Sequence, residues 1–225
     1  MLSRLPPATR ALLIALIAVF VLQLLLPRVF FAPLRLWPIA VDADPWSPIT
    51  SFMPWQLLSY GFQHESLVHL VLNLICLAMF GAELEWTWGR RRFMVFYAVC
   101  MVFAGFFHAL INTLVLSQTG EINTVVGASG AIFGLLVAYG MLFPDRRVSL
   151  LLLPVMMKAR TLVLIFMAIQ VVLAFSGLKT GESHFGHLAG GVAGCLMVLY
   201  WRRPARRKDE PAPKKRKASH LRVVK

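Results

Sequence analysis

The sequence is dominated by apolar runs that, together with their flanks, have about the length needed to cross a lipid bilayer. These runs cover residues 11–26, 66–81, 93–116, 124–143, 161–175 and 185–201. A spanning helix needs about 20 mostly apolar residues, so this chain has room for about six spans with short connections. Because 58% of the 225 residues are hydrophobic and the mean hydropathy is +0.70, an ordinary soluble domain is excluded. We therefore predict an all-α polytopic membrane protein, a bundle of six transmembrane helices.

This pattern divides the chain into three parts. We expect an N-terminal arm at 1–10, a membrane domain at 11–201 and a basic tail at 202–225. A secretory signal peptide is an alternative reading of the first run, but bulky residues follow it where a cleavage site needs small ones. The tail mixes Lys, Arg, Pro and Ala, a composition typical of disorder.

The distribution of charge predicts the orientation. With six spans, all but three of the 23 Lys and Arg residues lie on the side of the two termini, the exceptions being Arg28, Arg35 and Lys179. By the positive-inside rule this side is cytoplasmic. The same rule favours the interpretation of the basic tail as an orientation signal. Contact with anionic lipid is the second interpretation. We predict no nucleic-acid binding, because no aromatic-interleaved or folded module accompanies the charge.

The first loop, residues 28–63, is long and rich in Pro and Trp. Trp37, Trp46 and Trp55 are typical of the membrane interface. A loop of this length is usually functional or partly embedded. The three cysteines, Cys76, Cys100 and Cys195, all lie in apolar runs, which favours buried thiols over a disulfide framework.

The fourth run opens on Gly127-Ala128-Ser129-Gly130. Small residues around a serine let a neighbouring helix and a bound peptide approach it closely. At a helix start the first backbone N–H groups lack intrahelical partners and favour an anion, which suits a nucleophile that generates an oxyanion. The alternative reading is that these small residues only pack against another helix.

Polar residues of three predicted spans converge near the outer surface. His69, Asn73, Ser129 and His187 all lie in the first turns of spans that begin outside. With a span start near Thr124, Ser129 is expected about 8 Å below the surface at ~1.5 Å per residue. Ionisable residues inside a membrane are costly and are functional candidates by default.

The glycines of the sixth span assign roles to these residues. Gly190 and Gly194 form a GxxxG seam that lets a second backbone approach, and the fourth span offers a matching small surface. A serine side chain is short, so its base must lie on a closely packed helix. We therefore predict Ser129 as nucleophile and His187 as general base. His69 and Asn73, four residues apart on one helix face, and the Ser129 backbone N–H are predicted donors to the oxyanion.

Other polar residues receive simpler interpretations. We expect His184 and His220 to be capped and solvated, and His64 to pack in a loop near the site. His108 and Asn112 lie late in the third span, where they pair with one another or with loop backbone.

Competing chemistries can be weighed from spacing. His64 and His69 are one residue too far apart for the His-Glu-x-x-His zinc motif, and Ala131 replaces the last Gly of a Gly-x-Ser-x-Gly elbow, which no strand precedes. A non-catalytic membrane chaperone or a transporter, using the same polar cluster for binding, remains the second hypothesis.

In this order and topology the residues resemble the rhomboid family of intramembrane serine proteases, over about the whole predicted bundle. The marks are Trp55, His64, His69-x-x-x-Asn73, Gly81-x-x-x-Glu85, Gly127-x-Ser129-Gly130 and His187-x-x-Gly190 with Gly194. The resemblance implies a six-span fold and a Ser129–His187 dyad, without a third carboxylate, in a water-filled cavity that opens outside. It also implies cleavage of single-span membrane proteins without a metal or cofactor.

The resemblance extends to the supporting residues. His69 and Asn73 match oxyanion positions, with Gly127 and Ala128 beside them, and His64 matches a supporting residue of the first loop. Two departures are visible: Gln56 follows Trp55 where many relatives have Arg, and Phe133 stands where relatives often place a Tyr against the histidine ring. The short N-terminal arm favours a bacterial inner membrane.

Overall fold

A computed structural model describes residues 4–39, 52–150, 153–176 and 184–202. Within these ranges the helices are α1 (Pro7–Leu25), α2 (Gln56–Ser59), α3 (Leu67–Cys76), α4 (Ala82–Trp88), α5 (Arg90–Thr119), α6 (Ser129–Leu142), α7 (Ala159–Phe175) and α8 (His184–Arg202). A π-helical turn, Leu77–Gly81, joins α3 and α4 into one helix. Trp46, Lys179, His220 and the basic tail beyond Arg202 lie outside the described residues.

The described helices confirm an all-α polytopic membrane protein. Three of them are long and apolar enough to cross a bilayer, namely α1, the joined α3–α4 helix and α5. Helices α6 and α7 are shorter but equally apolar in character. That the chain has six spans stays a prediction.

Helix α1 begins before the predicted first span, so the predicted arm at 1–10 is too long. Its first turn is capped by Glu85 of α4, whose carboxylate accepts hydrogen bonds from Ala8 N (2.8 Å), Thr9 N (2.7 Å) and Thr9 Oγ1 (2.8 Å). A carboxylate at this position satisfies orphan N–H groups and complements the helix dipole. Ala8 and Thr9 are therefore buried parts of the bundle rather than of an arm.

Helix α6 lies at the centre of the bundle. Every residue from Gly130 to Gly140 except Phe133 is buried, and the most extensive packing in the described chain is between α6 and α8. A Cβ atom at Gly190 would collide with the Gly130 carbonyl oxygen, and one at Gly194 would lie 2.5 Å from the Gly134 oxygen. The predicted glycine seam is confirmed, because only residues without side chains allow this approach.

A short β-hairpin, absent from the sequence prediction, connects α6 to α7. Strands β1 (Arg147–Leu150) and β2 (Leu153–Lys158) pair antiparallel, with Arg147 opposite Lys158. Lys158 Nζ bonds Asp145 Oδ1 at 3.0 Å, and Arg146 forms an ion pair with Glu83. The hairpin is thereby tied to the loop before it and to α4.

In the described parts of the first loop, residues 28–39 and 52–63, hydrogen bonds join short helical turns to one another and to the segment before α6. Leu36 and Val125 form a β-bridge with both N–O distances at 3.0 Å. The fully buried Gln56 accepts from Trp37 N at 3.2 Å and donates to Pro33 O at 3.2 Å. Glutamine therefore fastens this loop at the position where an Arg was expected from the resemblance.

Candidate active site

Ser129 is the first residue of α6, so the predicted start of this helix near Thr124 is wrong. The predicted span began near Thr124, but the residues before Ser129 are not helical. Gly127 has φ +127°, a conformation that side chains disfavour, and its N–H bonds Tyr60 O at 2.9 Å. This backbone stops the helix from starting earlier, so the unpaired N–H groups of the first turn lie at Ser129 itself.

Ser129 and His187 are in direct contact. The distance from Ser129 Oγ to His187 Nε2 is 2.6 Å, which is within hydrogen-bond range. His187 is only 5% exposed, and it lies one turn before Gly190, one of the two glycines at which α8 closely approaches α6. The glycine seam therefore sets the separation of the two side chains.

Phe133 packs against one face of the His187 imidazole. Its ring is stacked on His187 with centroids 4.5 Å apart and planes at 13°. Phe133 lies one turn after Ser129 on α6, so a single helix presents both the hydroxyl and the stacking ring to His187.

His69 lies beside the serine. A methyl group at Gly127 would be 2.8 Å from His69 Nε2 and 3.8 Å from Ser129 Oγ, so the imidazole and the hydroxyl border the same small space. His69 Nε2 is buried and has no hydrogen-bond partner among the residues that the structure describes. Such a buried polar atom needs a partner. An anionic oxygen at Ser129 would supply one.

Asn73 belongs to the same helix face as His69. It is 4% exposed, and its amide nitrogen donates to His69 O at 3.0 Å. This bond fixes the Asn73 side chain against the turn that carries His69. The amide has a second hydrogen for another acceptor.

His64 supports His69 from the first loop. The two rings meet edge to face with centroids 5.0 Å apart, and the backbone N–H of His64 donates to Gln23 Oε1 of α1 at 3.0 Å. Burial, together with the nearby His69, lowers the pKa of His64 to about 3, so its ring is neutral at ordinary pH. Trp55 is half exposed and its indole donates to Pro33 O at 3.1 Å, which is a contact within the loop.

His108 and Asn112 pair with one another, and Asn112 also bonds loop backbone, so both contacts that the sequence left open are present. Asn112 Nδ2 lies 2.8 Å from His108 Nε2 and also 2.8 Å from the Asn123 carbonyl oxygen. The pair fastens the end of α5 to the segment that leads into Ser129. The cysteines are free thiols, as predicted, although only Cys100 is fully buried.

Sequence reasoning missed Gln170 and misjudged His184. Gln170 Oε1 of α7 lies 2.9 Å from His187 Nδ1 and 2.8 Å from His184 Nδ1. His184 is 9% exposed, so the expectation of a solvated residue was wrong. A lone Gln in the apolar run 161–175 was the available signal, because an amide in such a helix must find a polar partner.

Comparisons with known proteins show which family the chain resembles. The family model described as the Rhomboid domain matches residues 51–204. The chain is 29% identical to the mitochondrial presenilin-associated rhomboid-like protein A of Danio rerio over 165 residues, 72% of this chain and 41% of that protein. It is 28% identical to rhomboid-like protease 3 of Toxoplasma gondii over 152 residues, 68% of this chain and 53% of that protein.

A bacterial relative is similar over a shorter stretch. The rhomboid protease GlpG of Klebsiella pneumoniae is 33% identical over 100 residues, 44% of this chain and 34% of that protein. The chain thus matches about a third to a half of the length of these curated relatives. Because the family model matches well over half of the chain, including both Ser129 and His187, this chain belongs to the rhomboid family.

Proposed function

We propose that this chain is a serine endopeptidase that cleaves single-span membrane proteins within or next to the bilayer. The observation that carries the proposal is the 2.6 Å separation of Ser129 Oγ and His187 Nε2. A serine hydroxyl is a weak nucleophile until an adjacent base takes its proton, and a buried imidazole at this distance can do so. Membership of a family whose named relatives include proteases supports the same activity.

The first half of the reaction forms an acyl-enzyme. Ser129 Oγ attacks the carbonyl carbon of the scissile peptide while its proton passes to His187 Nε2, and the carbonyl electron pair moves onto oxygen. The resulting oxyanion accepts hydrogen bonds from the Ser129 backbone N–H and from His69. His187 then gives its proton to the leaving nitrogen, and the C–N bond breaks.

The second half repeats these steps with water. A water molecule attacks the acyl carbon as His187 takes one of its protons, and collapse of the new tetrahedral intermediate returns the proton to Ser129 Oγ. A carboxylic acid product leaves. Asn73 is a further donor to the oxyanion in both halves, because it lies on the same helix face as His69 and its amide has a second hydrogen to donate.

The substrate must present an unwound peptide at Ser129. Gly127 and Ala128, which precede Ser129, put no bulky side chain beside its hydroxyl. A transmembrane helix keeps its peptide groups internally bonded in lipid, so a substrate must unwind locally before a carbonyl reaches Ser129. We therefore propose that helix instability near the cut selects substrates as much as side-chain pockets do.

The proposal includes an orientation. The proposed protease domain is residues 11–201, extended to Pro7 by the observed start of α1. Both termini are cytoplasmic in this proposal, and the site at Ser129 opens to the outside of a bacterial inner membrane. The excess of Lys and Arg on the side of the termini supports this orientation. The tail at 202–225 adds electrostatic attraction to anionic lipid.

The test compares wild-type protein with Ser129→Ala and with Ser117→Ala, a matched change at an exposed serine of α5. Each detergent-solubilised protein is incubated with a panel of single-span proteins, and products are mapped by mass spectrometry. We expect cleavage by wild type and Ser117→Ala and none by Ser129→Ala. Equal cutting by Ser129→Ala would overturn the proposal. Substrate binding without cleavage by wild type would favour the chaperone or transporter.

A further inference from the structure

The histidine opposite Ser129 has a second polar contact that a dyad does not require. His187 Nδ1, the ring nitrogen remote from the serine, lies 2.9 Å from Gln170 Oε1. The same oxygen lies 2.8 Å from His184 Nδ1. One amide oxygen of α7 therefore joins two histidines of α8.

The position of Gln170 makes this contact unusual. Its neighbours along α7 face the outside of the bundle, since Ile169 is 46% exposed and Val171 is 45% exposed, whereas Gln170 is 8% exposed. A polar side chain in an apolar helix is costly unless it is hydrogen-bonded. Gln170 meets that need on the rings of His184 and His187.

From this geometry we infer that Gln170 is a positioning residue, which holds His187 in the tautomer that can accept the proton of Ser129. The inference rests on the proposed function of Ser129 and His187. An amide oxygen has two lone pairs and only accepts, so each histidine donates to it through an Nδ1–H group. A neutral imidazole with its proton on Nδ1 presents a lone pair at Nε2, which is the atom 2.6 Å from Ser129 Oγ.

Without the amide, two alternatives compete with the productive state. The neutral ring can place its proton on Nε2, where it faces Ser129 and cannot accept a proton, and it can turn about its side-chain torsions. Stacking on Phe133 restrains the plane of the ring but does not distinguish Nδ1 from Nε2. Gln170 supplies that distinction, which in other serine hydrolases a carboxylate supplies.

The most direct readout is the protonation of His187 in the resting wild-type protein. With 15N-labelled histidine, and His187→Ala to assign the signal, NMR distinguishes the protonated ring nitrogen from the unprotonated one. We expect a proton on Nδ1 and a bare Nε2 in wild type, and a mixture of tautomers in Gln170→Met. A wild-type His187 that carries its proton on Nε2 would overturn the inference. This readout needs no substrate, and its decisive observation is made on the wild-type protein.

The second readout is kinetic. Gln170→Met keeps the length of the side chain and removes the acceptor, whereas Gln170→Glu restores acceptor oxygens. We expect Gln170→Met to lower kcat by about 10- to 100-fold, the range found when a metal-bound histidine loses its outer hydrogen-bond partner, with KM nearly unchanged. Gln170→Glu should recover part of kcat. Ile169→Met, the same residue type introduced at the adjacent lipid-facing position, should behave as wild type.

The outcomes separate this inference from the proposed function. If Gln170→Met retains wild-type kcat while Ser129→Ala is inactive, the positioning role is wrong and the protease assignment stands. If wild type itself does not cleave, the protease assignment is wrong. The NMR spectrum still shows whether the proton of His187 lies on Nδ1, the nitrogen next to Gln170. An equal loss of kcat in Ile169→Met would mean that disturbance of α7, rather than the amide, is responsible.

Discussion

Phe133 lies almost parallel to the imidazole of His187, with ring centroids 4.5 Å apart. Such an aromatic pair is worth about 0.5–1.5 kcal/mol beyond the area that it buries. If this energy holds the imidazole in line with Ser129, Phe133→Ala should lower kcat by about 2- to 10-fold, by the usual relation of free energy to rate. Phe133→Tyr keeps the aromatic face and should retain activity. Steady-state kinetics checks both variants, and full activity of Phe133→Ala would contradict the expectation.

The glycine seam gives a second prediction. Gly190→Ala places a methyl group against the Gly130 carbonyl oxygen, which is backbone and cannot yield. Overpacking of this kind costs about 1–3 kcal/mol, and here it also separates His187 from Ser129. We expect a lower melting temperature in detergent and loss of cleavage.

The adjacent Gly191 supplies the control for the seam. A methyl group there meets the end of the flexible Met167 side chain at 2.7 Å, which can move aside. Gly191→Ala should therefore stay close to wild type in both measurements. Equal effects of the two substitutions would show that the close approach at Gly190 has no special importance.

The cap on α1 predicts a loss of stability. Glu85→Gln keeps the size of the side chain but turns an amide N–H group toward backbone donors at Ala8 and Thr9. Leaving buried donors without an acceptor costs about 1–3 kcal/mol each. Thermal unfolding in detergent should show a clear decrease for Glu85→Gln. Glu83 lies on the same helix as Glu85 and forms a partly exposed ion pair with Arg146. Glu83→Gln removes only this ion pair and should change the stability far less.

His64 predicts an acid sensitivity. Burial lowers its pKa from 6.5 to about 3 in the folded protein, so the unfolded chain binds a proton between these values and the folded protein does not. Stability should therefore fall as the pH drops from about 6.5 toward 3. In His64→Phe this part of the dependence disappears, and the melting temperature changes less over the same interval. An unchanged pH dependence in His64→Phe would contradict the assignment.

The elements that the sequence could predict are those with a strong local signal. Apolar runs mark the membrane helices, and the spacing of Gly190 and Gly194 predicts the close contact with α6 that the structure contains. The pairing of His108 with Asn112 follows from their separation by one helical turn. In each of these cases the relevant partner is either nearby in sequence or specified by residue size.

The elements that were missed depend on tertiary context. The start of α6 at Ser129 is set by the φ of Gly127 and by the bridge from Val125 to Leu36, neither of which an apolar pattern reveals. The burial of His184 depends on the rotation of α7, which brings Gln170 to it. Likewise, the early start of α1 requires Glu85, about 77 residues away in sequence.

Reaction of Ser129 with a fluorophosphonate tests the central claim most directly, because only an activated serine forms the adduct. Wild-type protein in detergent is treated with the probe, digested, and its modified residue located by mass spectrometry. The account predicts an adduct on Ser129 that is absent from Ser129→Ala and strongly reduced in His187→Ala, with Ser117→Ala labelled as wild type. An adduct on another residue, or labelling of Ser129 that does not depend on His187, would contradict it.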